Sequence, residues 1–392
     1  MRVCGKLVLA AALRRARTED ELMARKQPPR PTRVEPAISL DESVDFAATD
    51  CKDMLGMTED FPNQCREGLR LGDELKLDDS YRIEYNAIVG LGMGGSAIGS
   101  DLLGAIYADE LRVPSVTVRD YRLPHWVGPR TLVVGVTYSG DTEETLAAFG
   151  EARTRGARVI GVTSGGEMAR ICGKDGLPCV IVPGGQPPRA STGYLLMSLV
   201  AVAERLGLIA SQSEAREECL GILGAQSSEY GRHSLHLAKD RHRPKELAGL
   251  LFGKVPVIYG GTPGLGVIAY RWRTQFNENA KVFAHSDELP ELDHNEIVGW
   301  QLGRKLLPHH CIVVLTDPAA PDRMKLRLDI TRDVLGVEVY QETARGKSSL
   351  ARHLSAMYTG DFTSIYLAFL NGVDPFDIGP INELKKRLAE GR

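Results

Sequence analysis

From Asn86 onward, short runs of consecutive apolar residues alternate with stretches in which apolar residues recur every three or four positions. Ala87-Ile-Val-Gly-Leu91 is the first such run and predicts a buried strand. A glycine turn, Gly92 to Gly95, follows it. Over Ser96–Tyr107, Ile98, Leu102, Leu103 and Ile106 then fall on one helical face. Ser115–Val118, Leu132–Thr137, Arg158–Thr163 and Val180–Val182 repeat the strand signal, and Glu143–Arg155 repeats the helical one. Continuously apolar strands separated by helices predict a parallel sheet covered on both faces.

Residues 193–245 lose the strand signal and read as helices connecting two domains. The alternation then resumes. Val255–Tyr259 leads into a second glycine turn, Gly260 to Gly266, and a helix running through Ala269 to Lys281. Cys311–Leu315 and Val337–Tyr340 read as strands, and Asp322–Leu335, Ser349–Asn371 and Ile381–Leu388 as helices. Both halves share one grammar of strand, glycine turn and helix, a weak internal duplication. The predicted fold is therefore α/β, with two domains over 36–205 and 246–392, each a parallel sheet flanked by helices. A helical linker is expected over 206–245 and a loosely ordered extension over 1–35.

Composition narrows the function classes. The 392 residues are 43% hydrophobic and 25% charged, with a net charge of -3. That is a globular mix without the positive field that nucleic acid would need. No apolar run approaches the roughly 20 residues of a membrane helix. The apolar segment Leu7–Leu13 is short and runs at once into Arg14, Arg15 and Arg17, which argues against an export signal. The seven cysteines show no CxxC spacing, which suits a reducing compartment and gives no zinc-site pattern. The expectation is a cytoplasmic protein with neither nucleic-acid nor membrane partners.

Two turns carry candidate chemistry. Gly90, Gly92 and Gly95 satisfy GxGxxG between a strand and a helix, as a dinucleotide site would. The same geometry serves any anion at a helix N-terminus, or no ligand at all. A dinucleotide also wants an acidic residue about 20 positions on. The nearest, Asp120, is late and follows Arg119. The second turn, Thr137-Tyr-Ser139-Gly-Asp141-Thr142, offers three hydroxyls at the next strand-to-helix junction. A helix cap explains one hydroxyl, whereas a phosphate monoester explains all three. Gly346-Lys347-Ser348 looks like the tail of a nucleotide-triphosphate loop, but Gln341 stands where its first glycine should be.

Gly94-Gly95-Ser96 together with Thr137–Thr142 resembles the sugar isomerase (SIS) domain. Pro188-Arg189-Ala190, Phe276-Asn-Glu278-Asn, Glu291-Leu-Asp-His294-Asn-Glu, Met357–Asp361 and Ile381–Lys386 resemble its bifunctional phosphoglucose/phosphomannose isomerase branch. The resemblance spans about residues 40 to 390. It implies two SIS domains in a homodimer that needs no cofactor and no metal. It implies a phosphate held by Gly94, Gly95, Ser96, Thr137, Ser139 and Thr142, and Arg189 stabilising an enediolate. Glu278 would be the base. His294 would assist ring opening across the dimer, with a C-terminal lysine, Lys385 or the adjacent Lys386. The family turn often has serine and asparagine where this chain has Thr137 and Asp141. The Asp141 carboxylate would repel a dianion, so it is expected to point away as a cap.

The residue types suit the chemistry. Aldose–ketose isomerisation moves one proton between C2 and C1, which a single glutamate can carry. The oxygen charge that develops needs a fixed cation in a dry pocket. Glucose and mannose 6-phosphates share one enediolate, so one base can serve both. A non-catalytic sugar-phosphate sensor and an NAD(P)-dependent oxidoreductase remain the alternatives at this level.

Overall fold

The computed structural model describes residues 36, 39–40, 48–303, 305 and 307–391. The extension expected over 1–35 lies outside these. Residues 36–392 form one compact unit. After two helices, α1 (Met54–Glu59) and α2 (Phe61–Glu74), the chain enters the first alternating region. Its elements are β1 (Ala87–Leu91), α3 (Ile98–Ile106), β2 (Ser115–Val118), β3 (Thr131–Val136) and α4 (Glu143–Thr154). β4 (Arg158–Thr163), α5 (Gly166–Asp175) and β5 (Cys179–Ile181) complete it.

These five strands form an all-parallel sheet in the order β2-β1-β3-β4-β5. Neighbouring residues face opposite ways. Ile88, Leu132, Val134, Ile160 and Val162 pack into a cluster with α2 and α3 residues such as Leu69 and Leu102. Val89, Leu91, Val133 and Val159 pack on Ala148, Phe149, Met168 and Cys172 of α4 and α5. Both faces are thus apolar and both are covered, as unbroken apolar strands require. The order reverses between β1 and β3. In open α/β sheets ligands bind at that reversal, outside the carboxyl ends of the strands.

Helices α6 (Thr192–Arg205), α7 (Ser213–Tyr230) and α8 (Arg243–Leu251) follow. The segment 206–245, expected as a linker, carries α7, whose Cys219, Leu223 and Tyr230 are buried in the same cluster as the first sheet. The second region runs β6 (Val255–Gly260), α9 (Pro263–Glu278), β7 (His285–Glu288) and α10 (Glu296–Gly303). β8 (His310–Thr316), α11 (Asp322–Leu335), β9 (Val339–Thr343), α12 (Ser349–Leu370) and α13 (Gly379–Ala389) close the chain. The second sheet is also parallel, in the order β7-β6-β8-β9. One face of it, with Ile258, Val313 and Leu315, joins the large shared core through α9 and α12. The other, with Val257, Tyr259, Ile312 and Val314, packs on Leu335 of α11 and on Leu289 and Leu292.

The second glycine turn is filled. A Cβ on Gly266 would overlap the Glu288 carboxylate, so a carboxylate of the chain itself occupies the start of α9. Among the described residues, no helix is long and apolar enough to cross a membrane.

Candidate active site

The residues after β1 and β3 meet at the carboxyl edge of the first sheet. Gly94–Ser96 forms a short 3-10 turn, and Pro188–Ala190 forms another against it. They touch at the backbone: a Cβ on Gly95 would stand 2.7 Å from the Arg189 nitrogen. Glycine at 95 is what allows this turn and Arg189 to share one wall.

The hydroxyls of the second turn are oriented by the backbone. Ser96 Oγ accepts from Tyr138 N at 3.1 Å and Ser139 Oγ from Asp141 N at 3.3 Å. Thr137 Oγ1 accepts from Thr142 N at 3.4 Å and donates to Thr142 Oγ1 at 3.0 Å. The hydroxyl oxygens of Ser96, Ser139 and Thr142 thus act as acceptors within the turn, so their protons can be donated to an outside acceptor. α4 starts directly after this turn, and its N-cap Thr142 makes no side-chain cap, so its first-turn amides are left without one. Asp141 is turned away, as expected: its Oδ1 accepts from Glu167 N at 2.9 Å, capping α5.

Arg189 is buried, with 2% of its surface exposed. Its Nε donates to Asn279 Oδ1 at 2.7 Å, and its Nη2 donates to the carbonyls of Pro375 and Phe376 at 2.7 and 3.0 Å. Nη1 reaches Glu278 Oε2 at 3.5 Å. Burial pushes the guanidinium pKa down and the Glu278 charge pushes it back up. Only the Nη1 edge is left facing a carboxylate that is itself partly open to solvent.

Behind this pair lies a layer to which the sequence assigns no role, although Asn279 and Asp361 fall within the family-like segments. Arg271 Nη2 donates to the Arg189 carbonyl at 2.6 Å and to Asp361 Oδ2 at 3.1 Å, while Arg271 Nε donates to Asp361 Oδ1 at 3.1 Å. Gln275 Nε2 adds a 3.0 Å bond to Asp361 Oδ1. Burial raises the Asp361 pKa, and the Arg271 pair opposes that. Asn279 is held in turn by Nδ2 donating to Ser364 Oγ at 2.9 Å. α9 and α12 come this close because residue 360 is glycine: a Cβ there would stand 2.1 Å from Trp272 Nε1. A signal for the layer did exist, since Asp361 is the one acidic residue in the 22 of α12. A lone carboxylate on an apolar helix needs a buried partner.

Lys281 closes the C-terminus of α9. Its Nζ donates to the carbonyls of Glu278 at 2.8 Å and Asp374 at 2.6 Å. A cation is favoured there by the helix dipole.

His294 and Lys385 are not brought to this cluster within the chain. α9 runs antiparallel to β6, and β7 then returns parallel to it, with Val257 opposite His285 and Gly260 opposite Glu288. Glu278 therefore lies near the amino edge of the second sheet, and the turn Glu291–His294 beyond its carboxyl edge. The six residues of β6 alone span roughly 20 Å at 3.3 Å per residue. His294 is exposed, and so are Lys385 and Lys386 on α13. Neither His294 nor Lys385 is joined to the Arg189–Glu278 pair by a hydrogen bond or ion pair among the described residues.

At the base of the His294 turn, His285, Asp287 and Glu296 place one ligand-type atom each within 4.8 Å of one another. Glu296 is already engaged on both oxygens, by Tyr259 Oη at 2.5 Å and by His285 Nε2 at 2.8 Å. After β2, Asp120 is exposed and its Oδ1 accepts from Tyr121 N at 2.6 Å, while Arg119 before it is ion-paired with Asp101 of α3.

Two parallel sheets, a hydroxyl-lined turn at the strand-order reversal and a buried arginine facing a carboxylate define a phosphosugar-isomerase type of α/β protein. Residues 240–388 match the bacterial phospho-glucose isomerase C-terminal SIS domain. A bifunctional phosphoglucose/phosphomannose isomerase of Caldicellulosiruptor bescii is 36% identical over 335 residues, covering 84% of this chain and 97% of that protein. One of Thermoplasma volcanium is 34% identical, covering 82% and 98%. The structure of a glucose-6-phosphate isomerase like protein from Thermus thermophilus superposes with a TM-score of 0.58, at 20% identity and 89% and 99% coverage. The chain belongs to the bifunctional phosphoglucose/phosphomannose isomerase family.

Proposed function

We propose that this protein interconverts glucose 6-phosphate and mannose 6-phosphate with fructose 6-phosphate. The observation that carries the reading is the buried Arg189 set against Glu278, beside the turn of Gly94, Gly95 and Ser96. The sugar phosphate binds through the protons of Ser96, Ser139 and Thr142 and the amides at the start of α4, with Thr137 orienting Thr142. Its C1–C2 end then lies by Glu278. Glu278 takes the C2 proton, and Arg189 stabilises the enediolate oxygens with its unshared Nη1 edge. The same carboxyl returns the proton to C1. Losing and regaining configuration at C2 serves both epimers. The guanidinium supplies the positive charge, so the reaction needs no metal and no nucleotide.

Ring opening needs a proton shuttle, and His294 has a side chain suited to it. Its place beyond the far edge of the second sheet supports its serving the site of a partner subunit in a two-fold dimer. Lys385, on the exposed helix α13, shares that task. The protein acts in the cytoplasm, in keeping with the six free cysteines among the described residues.

A coupled assay with both aldose phosphates, run with and without EDTA, tests the reading. Turnover of both, insensitive to EDTA, is expected. Glu278→Gln should abolish turnover and solvent exchange of the C2 proton while sugar-phosphate binding persists. Binding without turnover in the unaltered protein would instead support a sugar-phosphate sensor.

A further inference from the structure

The side chains on either side of His294 are tied down, while that of His294 makes no hydrogen bond or ion pair among the described residues. Asp293 Oδ2 meets Arg327 Nη1 at 2.9 Å and its Oδ1 accepts from Thr331 Oγ1 at 2.8 Å, both partners lying on α11. Asn295 Nδ2 donates to Glu291 Oε1 at 2.8 Å. Glu296 bridges the two strands beneath, accepting from Tyr259 of β6 and pairing with His285 of β7. Trp300 Nε1 donates to Tyr259 Oη at 2.8 Å, fastening α10 to the same point. The turn is thus fixed to α11 on one side and to the sheet edge on the other, with the imidazole between them facing solvent.

A 3-10 turn of four residues has little stability of its own. Held only by its backbone, it would sample many orientations, and each would have to be frozen out on binding. We infer that Asp293 and Glu296 are positioning residues that hold the His294 imidazole outward in the orientation in which it enters a second copy's site. The inference rests on the isomerase reading and on His294 serving the partner. Neither residue touches the substrate. Both act by limiting where His294 can be, and a misplacement of about 1 Å costs up to a hundredfold in rate.

Subunit mixing gives the test. Glu296→Gln keeps an acceptor for Tyr259 but loses the charge that pairs with His285. As a homodimer it should show kcat reduced about ten- to a hundredfold with KM unchanged. Asp293→Asn should behave in the same way and serves as the second variant if the first folds poorly. In a heterodimer of Glu278→Gln with Glu296→Gln, one site combines an intact Glu278 with an intact His294 turn. That site should turn over at the unaltered rate, matching a heterodimer of Glu278→Gln with His294→Ala. If the recovered site instead keeps the reduced kcat, Glu296 acts on its own chain's site and the inference is wrong. If the heterodimer of Glu278→Gln with His294→Ala exchanges subunits and stays inactive, the shared-site reading beneath it fails.

Discussion

Asn279 Oδ1 accepts a 2.7 Å hydrogen bond from Arg189 Nε across 90 residues of chain. The bond fixes the plane of the guanidinium, so that Nη1 and not Nε faces Glu278. Asn279 directly follows Glu278 at the end of α9, so one helix terminus carries both the carboxylate and the group that aims its cation.

Asn279→Ala should therefore lower kcat more than it raises KM. It leaves a charged donor buried without its acceptor, at a cost of roughly 1.5–3 kcal/mol in stability. Urea denaturation and steady-state kinetics check the two parts separately. A variant of unaltered stability and activity would show that the guanidinium needs no such support.

Arg271→Met should destabilise the protein by about 3–5 kcal/mol, because it strands the buried Asp361 charge. Adding Asp361→Leu should recover much of that loss while activity stays low, since the Arg189 carbonyl still lacks its donor. Equilibrium unfolding of the single and double variants reads the difference. If the double variant is no more stable than the single one, the ion pair is not the source of the loss.

Ser139→Ala and Thr142→Ala should raise KM and leave kcat nearly intact, because hydrogen bonds to phosphate are made alike in ground and transition states. Each lost bond to a charged group is worth roughly 1.5–3 kcal/mol, a ten- to hundredfold change in kcat/KM. Unchanged KM in both variants would remove these hydroxyls from the phosphate site.

The His285–Glu296 contact should make stability pH-dependent. Glu296 raises the His285 pKa, burial opposes it, Asp287 adds to it and Arg273 acts against it. A group whose folded pKa is raised contributes fully below its unfolded value, about 6.5, and loses that contribution as pH rises through the folded value. His285→Ala should thus lower the melting temperature most below about pH 6.5 and progressively less as the pH rises above it, as the imidazole loses its proton. A deficit that grows with pH would contradict the pairing.

The strands β1, β2 and β4 and the helix α11 have the limits that their apolar patterns predict. β7 was not legible. His285-Ser-Asp-Glu288 is polar, partly exposed and at a sheet edge, so it carries no buried-strand signature and is a strand only by pairing with β6. The second glycine turn looked equivalent to the first. Glu288, delivered by that unread strand, is what fills it.

Local apolar runs and family motifs were enough to predict the parallel sheets and the two turns, and to single out Arg189 and Glu278, which the fold brings within 3.5 Å of each other. Apolar periodicity and turn chemistry act over a few residues, so they are readable in order along the chain. What lies behind and around that pair came from packing in three dimensions. Arg271, Asn279 and Asp361 meet through the packing of α9 on α12, and side chains 80 to 90 residues apart leave no local trace of one another. Packing also set Glu278 and His294 at opposite ends of the second sheet. That separation follows from α9 running against β6 while β7 runs with it, a relation of strand direction that no spacing of 16 residues can state.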